Sequence, residues 1–227
     1  MSSRRPVFRR YPALRSVAAA CAAGGLLAFS AALAPAVAQA TPPGATPGTE
    51  PDWVEPPAKV PKAPQGDPTR NLDTLFGALK VAPDETTAKA VENRIWAVWL
   101  ASGSDTVNLL MARTKAAIDK DDHGLAIRLL DAIVEIKPDY VEGWNRRATV
   151  FFLKKDYAGA LADLRQVLRR EPRHFGALAG LGTIMQEIGD EKNALGAYRK
   201  ALEVNPHLKG MADKVRSLGE KVEGRPI

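Results

Sequence analysis

Three histidines and one cysteine are the scarcest reactive side chains in this chain of 227 residues, and their spacing decides what chemistry they could do. His123, His174 and His207 fall at or near turns, and no two stand at the i, i+4 separation that lets two imidazoles share a metal on one helical face. Each reads as a surface turn residue. Asp121-Asp122-His123 resembles a metal cluster only in isolation, because Asp122 is placed to cap the helix that follows. Cys21 lies inside an apolar run. The sequence holds no Gly-rich phosphate loop, no Gly-x-Ser-x-Gly and no carboxylate pair that stands out from surface charge. Neither a catalytic site, a metal nor a cofactor is expected. Arg165, Arg169, Arg170 and Arg173 form a basic group, but Asp163 and Glu171 offset it, and a solvated helix face results.

The elements that could position a binding surface begin after an unusual N-terminus. Arg4, Arg5, Arg9, Arg10 and Arg15 precede an uncharged stretch over residues 16–40 that ends in Ala38-Gln39-Ala40. Basic, apolar and small-residue segments in that order describe a secretory signal peptide over residues 1–40, cleaved after Ala40. The expected location is periplasmic or secreted; a retained inner-membrane anchor formed by residues 16–34 is the alternative. Removing the five arginines lowers the formal charge from +6 to +1. The mature chain then has no general electrostatic case for nucleic acid, and membrane contact comes only through an uncleaved export signal. Residues 41–68 carry nine prolines and read as an extended tether. Within it Trp53 is a short docking motif, an incidental linker aromatic or one that packs back on the folded domain.

Pro138, Pro172 and Pro206 stand 34 residues apart, and other positions keep the same step. Asp122, Asp156 and Asp190 form one ladder, Ala126, Ala160 and Ala194 a second, and Leu130, Leu164 and Tyr198 a third. A period held at so many positions is an internal repeat over residues 105–206. Each unit divides into two helices, with the alanine ladder marking where the pair approaches closely. Upstream, residues 69–104 pattern as a helical hairpin in phase with the repeats. Its Trp96 and Trp99 read as core or cap residues, although Glu92 stands where the ladder predicts a small side chain. Residues 207–222 form a last amphipathic helix, suited to close the stack.

These units resemble the tetratricopeptide repeat. The last matches through Leu178, Leu181-Gly182, Ala194, Tyr198, Ala201 and Pro206; the middle through Trp144, Phe151, Ala160, Leu164 and Pro172; the first through Leu110, Ala126, Leu130 and Pro138. Arg147-Ala148 and Arg113-Thr114 replace Leu-Gly in the middle and first units. The resemblance implies an all-α, right-handed superhelical solenoid of antiparallel helix hairpins whose concave surface binds peptides or protein segments. That surface would present Asn108, Met111 and Lys115, then Glu142, Asn145, Arg146 and Thr149, then Ala179, Gly180, Thr183 and Gln186. Asn145 and Arg146 would anchor a partner's backbone or carboxylate. Gly176, Ala179 and Gly180 would leave space for a bulky partner side chain or seat the terminal helix.

The resulting expectation is an exported adaptor that holds a protein partner in envelope assembly or maintenance. Alternatives are a self-associating structural module with no peptide ligand and a cell-wall-associated accessory protein. N-terminal sequencing of the exported protein should begin at Thr41; an N-terminus at Met1 would instead establish the anchor.

Overall fold

The computed structural model describes Trp53, Pro56, Pro57 and residues 68–224. The expected leader and most of the expected linker lie outside the described residues. Helices α1 (Pro68–Lys80) and α2 (Glu85–Leu100) form a first hairpin. Three further pairs follow: α3 (Asp105–Ile118) with α4 (His123–Ile136), α5 (Val141–Leu153) with α6 (Tyr157–Arg170), and α7 (Phe175–Glu187) with α8 (Glu191–Val204). Helix α9 (Met211–Glu223) packs on α8. Among the described residues there is no strand, and the result is an all-α solenoid.

Local chemistry sets each hairpin. The Asp122, Asp156 and Asp190 carboxylates accept the backbone N–H groups of Leu125, Gly159 and Asn193, so the second helix of every pair starts with a satisfied donor. Just before each cap the chain turns through a positive φ: 56° at Asp121, 60° at Lys155 and 83° at Gly189. One left-handed residue per unit closes the turn, and only the third unit spends a glycine on it. Inside the pairs, Ala126, Ala160 and Ala194 are fully buried, as are Leu130, Leu164 and Tyr198 beside them. Burying one such leucine contributes about 1.5–3 kcal/mol.

The Leu-Gly element of the motif is explained by volume. A Cβ on Gly182 would lie 2.4 Å from Tyr198 Cε1, so the large ring in the third unit requires a bare backbone opposite it. Where the middle unit has Leu164 in place of the tyrosine, the facing position holds Ala148; where the first has Leu130, it holds Thr114. The leucine of the motif is replaced in the middle unit by Arg147. Its guanidinium donates to both carboxylate oxygens of Asp163 at 2.8 Å, reaches Asp131 of the preceding unit at 2.8 Å, and lies over the Trp144 and Phe151 rings. A planar ion bridge joins helices where an aliphatic side chain would otherwise pack.

The first hairpin keeps the phase of the repeats but not their stacking. Rather than stacking on α3 as another unit, it lies across the turns that join successive repeats. Tyr140 Oη donates to the Leu100 carbonyl at 3.2 Å, Trp99 stacks on His174 with ring centroids 4.0 Å apart, and the Asn205 amide donates to Glu92 at 3.0 Å. Helix α2 therefore runs against the order of the repeats, its C-terminal end at α5 and its earlier turns at the α8–α9 junction. Its apolar face is too rich to stack on a single neighbour: Ile95, Trp96 and Trp99, with Leu72, Phe76 and Leu79 of α1, share one core with Phe175, Leu178, Tyr198, Leu208, Met211 and Leu218. Glu92, which keeps the phase of the alanine ladder, is instead a buried acceptor for Asn205 and Lys89.

The positive-φ position gives a clean test, because a Cβ on Gly189 would meet nothing within 4 Å. Gly189→Ala should lower stability by about 1 kcal/mol through backbone conformation alone, and Lys155→Gly should recover part of that amount. Denaturant midpoints of the two variants against the parent measure both.

Candidate functional site

The concave candidates occupy the first helix of each repeat pair, and the structure divides them sharply by exposure. On α3, Asn108 and Lys115 are exposed and Met111 is half-buried. Asn108 Oδ1 accepts from Ser102 Oγ at 2.7 Å, and Lys115 pairs with Asp119 at 2.8 Å. On α5, Glu142, Asn145 and Thr149 are buried while Arg146 is half-buried. On α7, Ala179, Gly180 and Thr183 are buried, and Gln186 is exposed with its Oε1 accepting from Tyr198 Oη. The Thr149 and Thr183 hydroxyls turn back onto the carbonyls of Asn145 and Ala179. The open polar surface thus sits on α3 and at the C-terminal end of α7, with a covered stretch between.

At the centre of that stretch is a polar cluster that the sequence did not disclose. His174, expected at a surface turn, is fully buried. Its Nδ1 accepts the Ala177 N–H at 3.0 Å and caps α7. With that nitrogen occupied as an acceptor, the ring proton sits on Nε2 and is donated to Glu142 Oε1 at 2.7 Å. The Asn145 amide donates to both Glu142 oxygens, at 3.2 and 3.4 Å, and Arg146 Nε lies 3.9 Å away. Burial raises the Glu142 carboxyl more than any other single effect. Interaction with His174 leads the effects that oppose it, ahead of the charge of Arg146 and the Asn145 amide, and the group is held below its ordinary range. Asn145 Oδ1 is left buried with no hydrogen-bond partner. Asn145 is therefore half committed, its donor to Glu142 and its acceptor to nothing.

Two elements cover this region. Trp99 stacks on the His174 ring, and Trp96 meets His174 and Phe175 edge-on. Trp53, separated from the helical domain by the proline-rich stretch, packs into the seam between α5 and α7 against Gly180, with its ring centroid 5.5 Å from that of Phe152. Beside α2, a cleft of about 700 Å³ is lined by Trp99, Tyr140, Arg170, Glu171 and Arg173, among others. Its basic side chains are engaged: Arg173 bridges Glu171 and Asp73 and lies over Phe76, while Arg170 binds Gln166 and the Trp144 face. Among the described residues, no group of three His, Cys, Asp or Glu side chains could hold a metal ion.

Paired helices at a 34-residue step with a small-residue ladder between them define a tetratricopeptide-type scaffold. The chain belongs to the tetratricopeptide repeat family: it is 39% identical over 157 residues to a TPR repeat-containing protein of Rhizobium etli, an alignment that spans 69% of this chain and 77% of that protein. It is also 28% identical over 97 residues to the small glutamine-rich tetratricopeptide repeat-containing protein 2 of Mycosarcoma maydis, covering 43% of this chain and 28% of that one. No family model matches the chain. Among solved structures, the first TPR of Spaghetti, bound to the HSP90 peptide SRMEEVD, superimposes with a TM-score of 0.50 at 17% identity, covering 53% of this chain and 95% of that one. That likeness is one of fold.

A carboxylate whose folded-state value is depressed stabilises above its ordinary value, 4.5 for glutamate, and ceases to do so as pH falls through the folded value. Unfolding followed by circular dichroism should show stability lost progressively below about pH 4.5. Glu142→Gln should cost about 1–3 kcal/mol at neutral pH and flatten that acid limb.

Proposed function

We propose that this protein is an exported adaptor that holds a segment of a partner protein along the inner face of its repeats, in assembly or maintenance of the cell envelope. The observation that carries the reading is the open polar surface on the first helices of the repeats, with Asn108 and Lys115 exposed on α3 and Gln186 exposed on α7. An extended segment laid along this face would bring its carbonyls and carboxylates past Arg146, Lys115 and Gln186. Family membership supports a binding role, and the sequence pattern over residues 1–40 supports export. The histidines fit the same reading: His174 spends both ring nitrogens on structure.

A second reading rests on the first unit. Because α1 and α2 pack against the later repeats, Leu109 is left 55% exposed and Ile136 54% exposed. Apolar side chains so placed suit end-to-end self-association, as uncapped repeat arrays show. Concentration-dependent light scattering that is abolished by Leu109→Asp with Ile136→Asp would favour it; a monomer at all concentrations removes it.

Crosslinking in the envelope fraction should capture a defined partner. The triple variant Lys115→Ala, Arg146→Ala, Gln186→Ala, which changes only residues that reach solvent, should reduce capture by about tenfold or more, the equivalent of one charge-assisted hydrogen bond. Undiminished capture by a folded triple variant would remove the inner face as the binding surface.

A further inference from the structure

We infer that the seam between α5 and α7 is a pocket for a tryptophan side chain of the partner segment, and that Trp53 occupies it in cis as a built-in competitor. The inference rests on the adaptor reading and specifies its ligand chemistry. The pocket is shaped for an indole: a Cβ on Gly180 would stand 2.7 Å from Trp53 Cη2 and 2.8 Å from Cζ2, so the ring lies flush on bare backbone where any other residue would exclude it. Phe152 supplies a tilted aromatic wall, and Ala148, Ala177 and Ile184 belong to the same buried cluster. Trp53 is only 7% exposed although it belongs to no helix.

The fit is nevertheless incomplete. Trp53 Nε1 is buried with no acceptor, while Asn145 Oδ1, also on the inner face of α5, is buried with no donor. Trp96 and Trp99 also have partnerless Nε1 atoms but sit within α2, whereas Trp53 belongs to no helix, and this placement outside the helices makes it an exchangeable occupant. The resident segment also states what the pocket reads. Asp52-Trp53-Val54-Glu55-Pro56-Pro57 places the indole between acidic residues and ahead of two prolines. Pro56 and Pro57 are themselves half-buried. Proline fixes φ, so a segment with two adjacent prolines has less entropy to lose on docking. The partner segment is therefore a tryptophan flanked by acidic residues and prolines, docked extended across α5 and α7.

A ligand held in cis acts at an effective concentration on the order of millimolar when its tether matches the span. If the free segment binds at about 0.1 mM, the resident weakens a competing ligand by about tenfold. The probe is a synthetic peptide of residues 50–58, titrated calorimetrically into the protein as purified from cells and into its Trp53→Ala variant. The variant should bind the peptide, and the parent should bind it about tenfold more weakly. Trp53→Ala combined with Gly180→Leu, which fills the pocket from its floor, should not bind; circular dichroism confirms that each variant is folded. Equal binding by parent and Trp53→Ala overturns cis occupancy while leaving the inner face as the partner site. No binding by a folded Trp53→Ala overturns the tryptophan chemistry, and partner capture by the Lys115, Arg146, Gln186 triple variant then decides the adaptor reading on its own. A parent that is dimeric and becomes monomeric on Trp53→Ala also overturns occupancy in cis, since the indole would then come from a second copy.

Discussion

The close approach of two helices at Ala126, Ala160 and Ala194 is the constraint on which the rest of this molecule depends. Fully buried alanines let each pair lie near enough for Leu130, Leu164 and Tyr198 to fill the space beside them. The volume at that neighbouring position then dictates how much backbone must be bare opposite, from Thr114 through Ala148 to Gly182. With the pair geometry settled, the first helices line one surface and the inter-repeat turns line one edge. Every feature of the candidate surface described above is attached to one or the other.

What covers those surfaces comes from outside the repeats. Helix α2 lies along the edge and buries the His174–Glu142–Asn145 cluster, and Trp53 enters the seam beside it. Between them they divide the inner face into an open polar part on α3, an open end near Gln186, and a covered centre. The buried polar cluster is tolerable because its members satisfy one another: the imidazole has both nitrogens in use, and the carboxylate accepts from two side chains. Polar atoms of Trp53, Asn93, Trp96, Trp99 and Asn145 are buried without partners, and these are the places where the packing of the described residues is least finished.

The repeats were legible in the sequence because their signals are local and recur. A capping aspartate, a small residue four positions on, and a proline at the end of each unit report on contacts made within about 34 residues. Helix α2 was legible as a helix, since Asp84 caps it and its apolar positions are periodic, but its docking was not. Its phase relation to the repeats is a coincidence of spacing, and Glu92 at the alanine position was the one sign of that. His174 was misread for the same reason. A histidine at the start of a helix is exposed unless something lies over it, and the cover, Trp99, is 75 residues earlier in the chain. The eleven candidate residues were placed on a concave face by the family resemblance, and nothing local in the sequence could say that Glu142, Asn145 and Gly180 would be buried.

Solenoids built only from neighbour-to-neighbour contacts behave as one-dimensional arrays in which each unit can open independently. Helix α2 changes that dimensionality. Through Tyr140, His174 and Asn205 it touches the junctions of all three repeats, joining residues as far as 113 positions apart. Opening the last unit must then release α2 from the middle one as well. The strap raises the mean sequence separation of contacts, which slows folding, and in exchange it makes the domain melt as one cooperative body rather than fraying unit by unit from its ends.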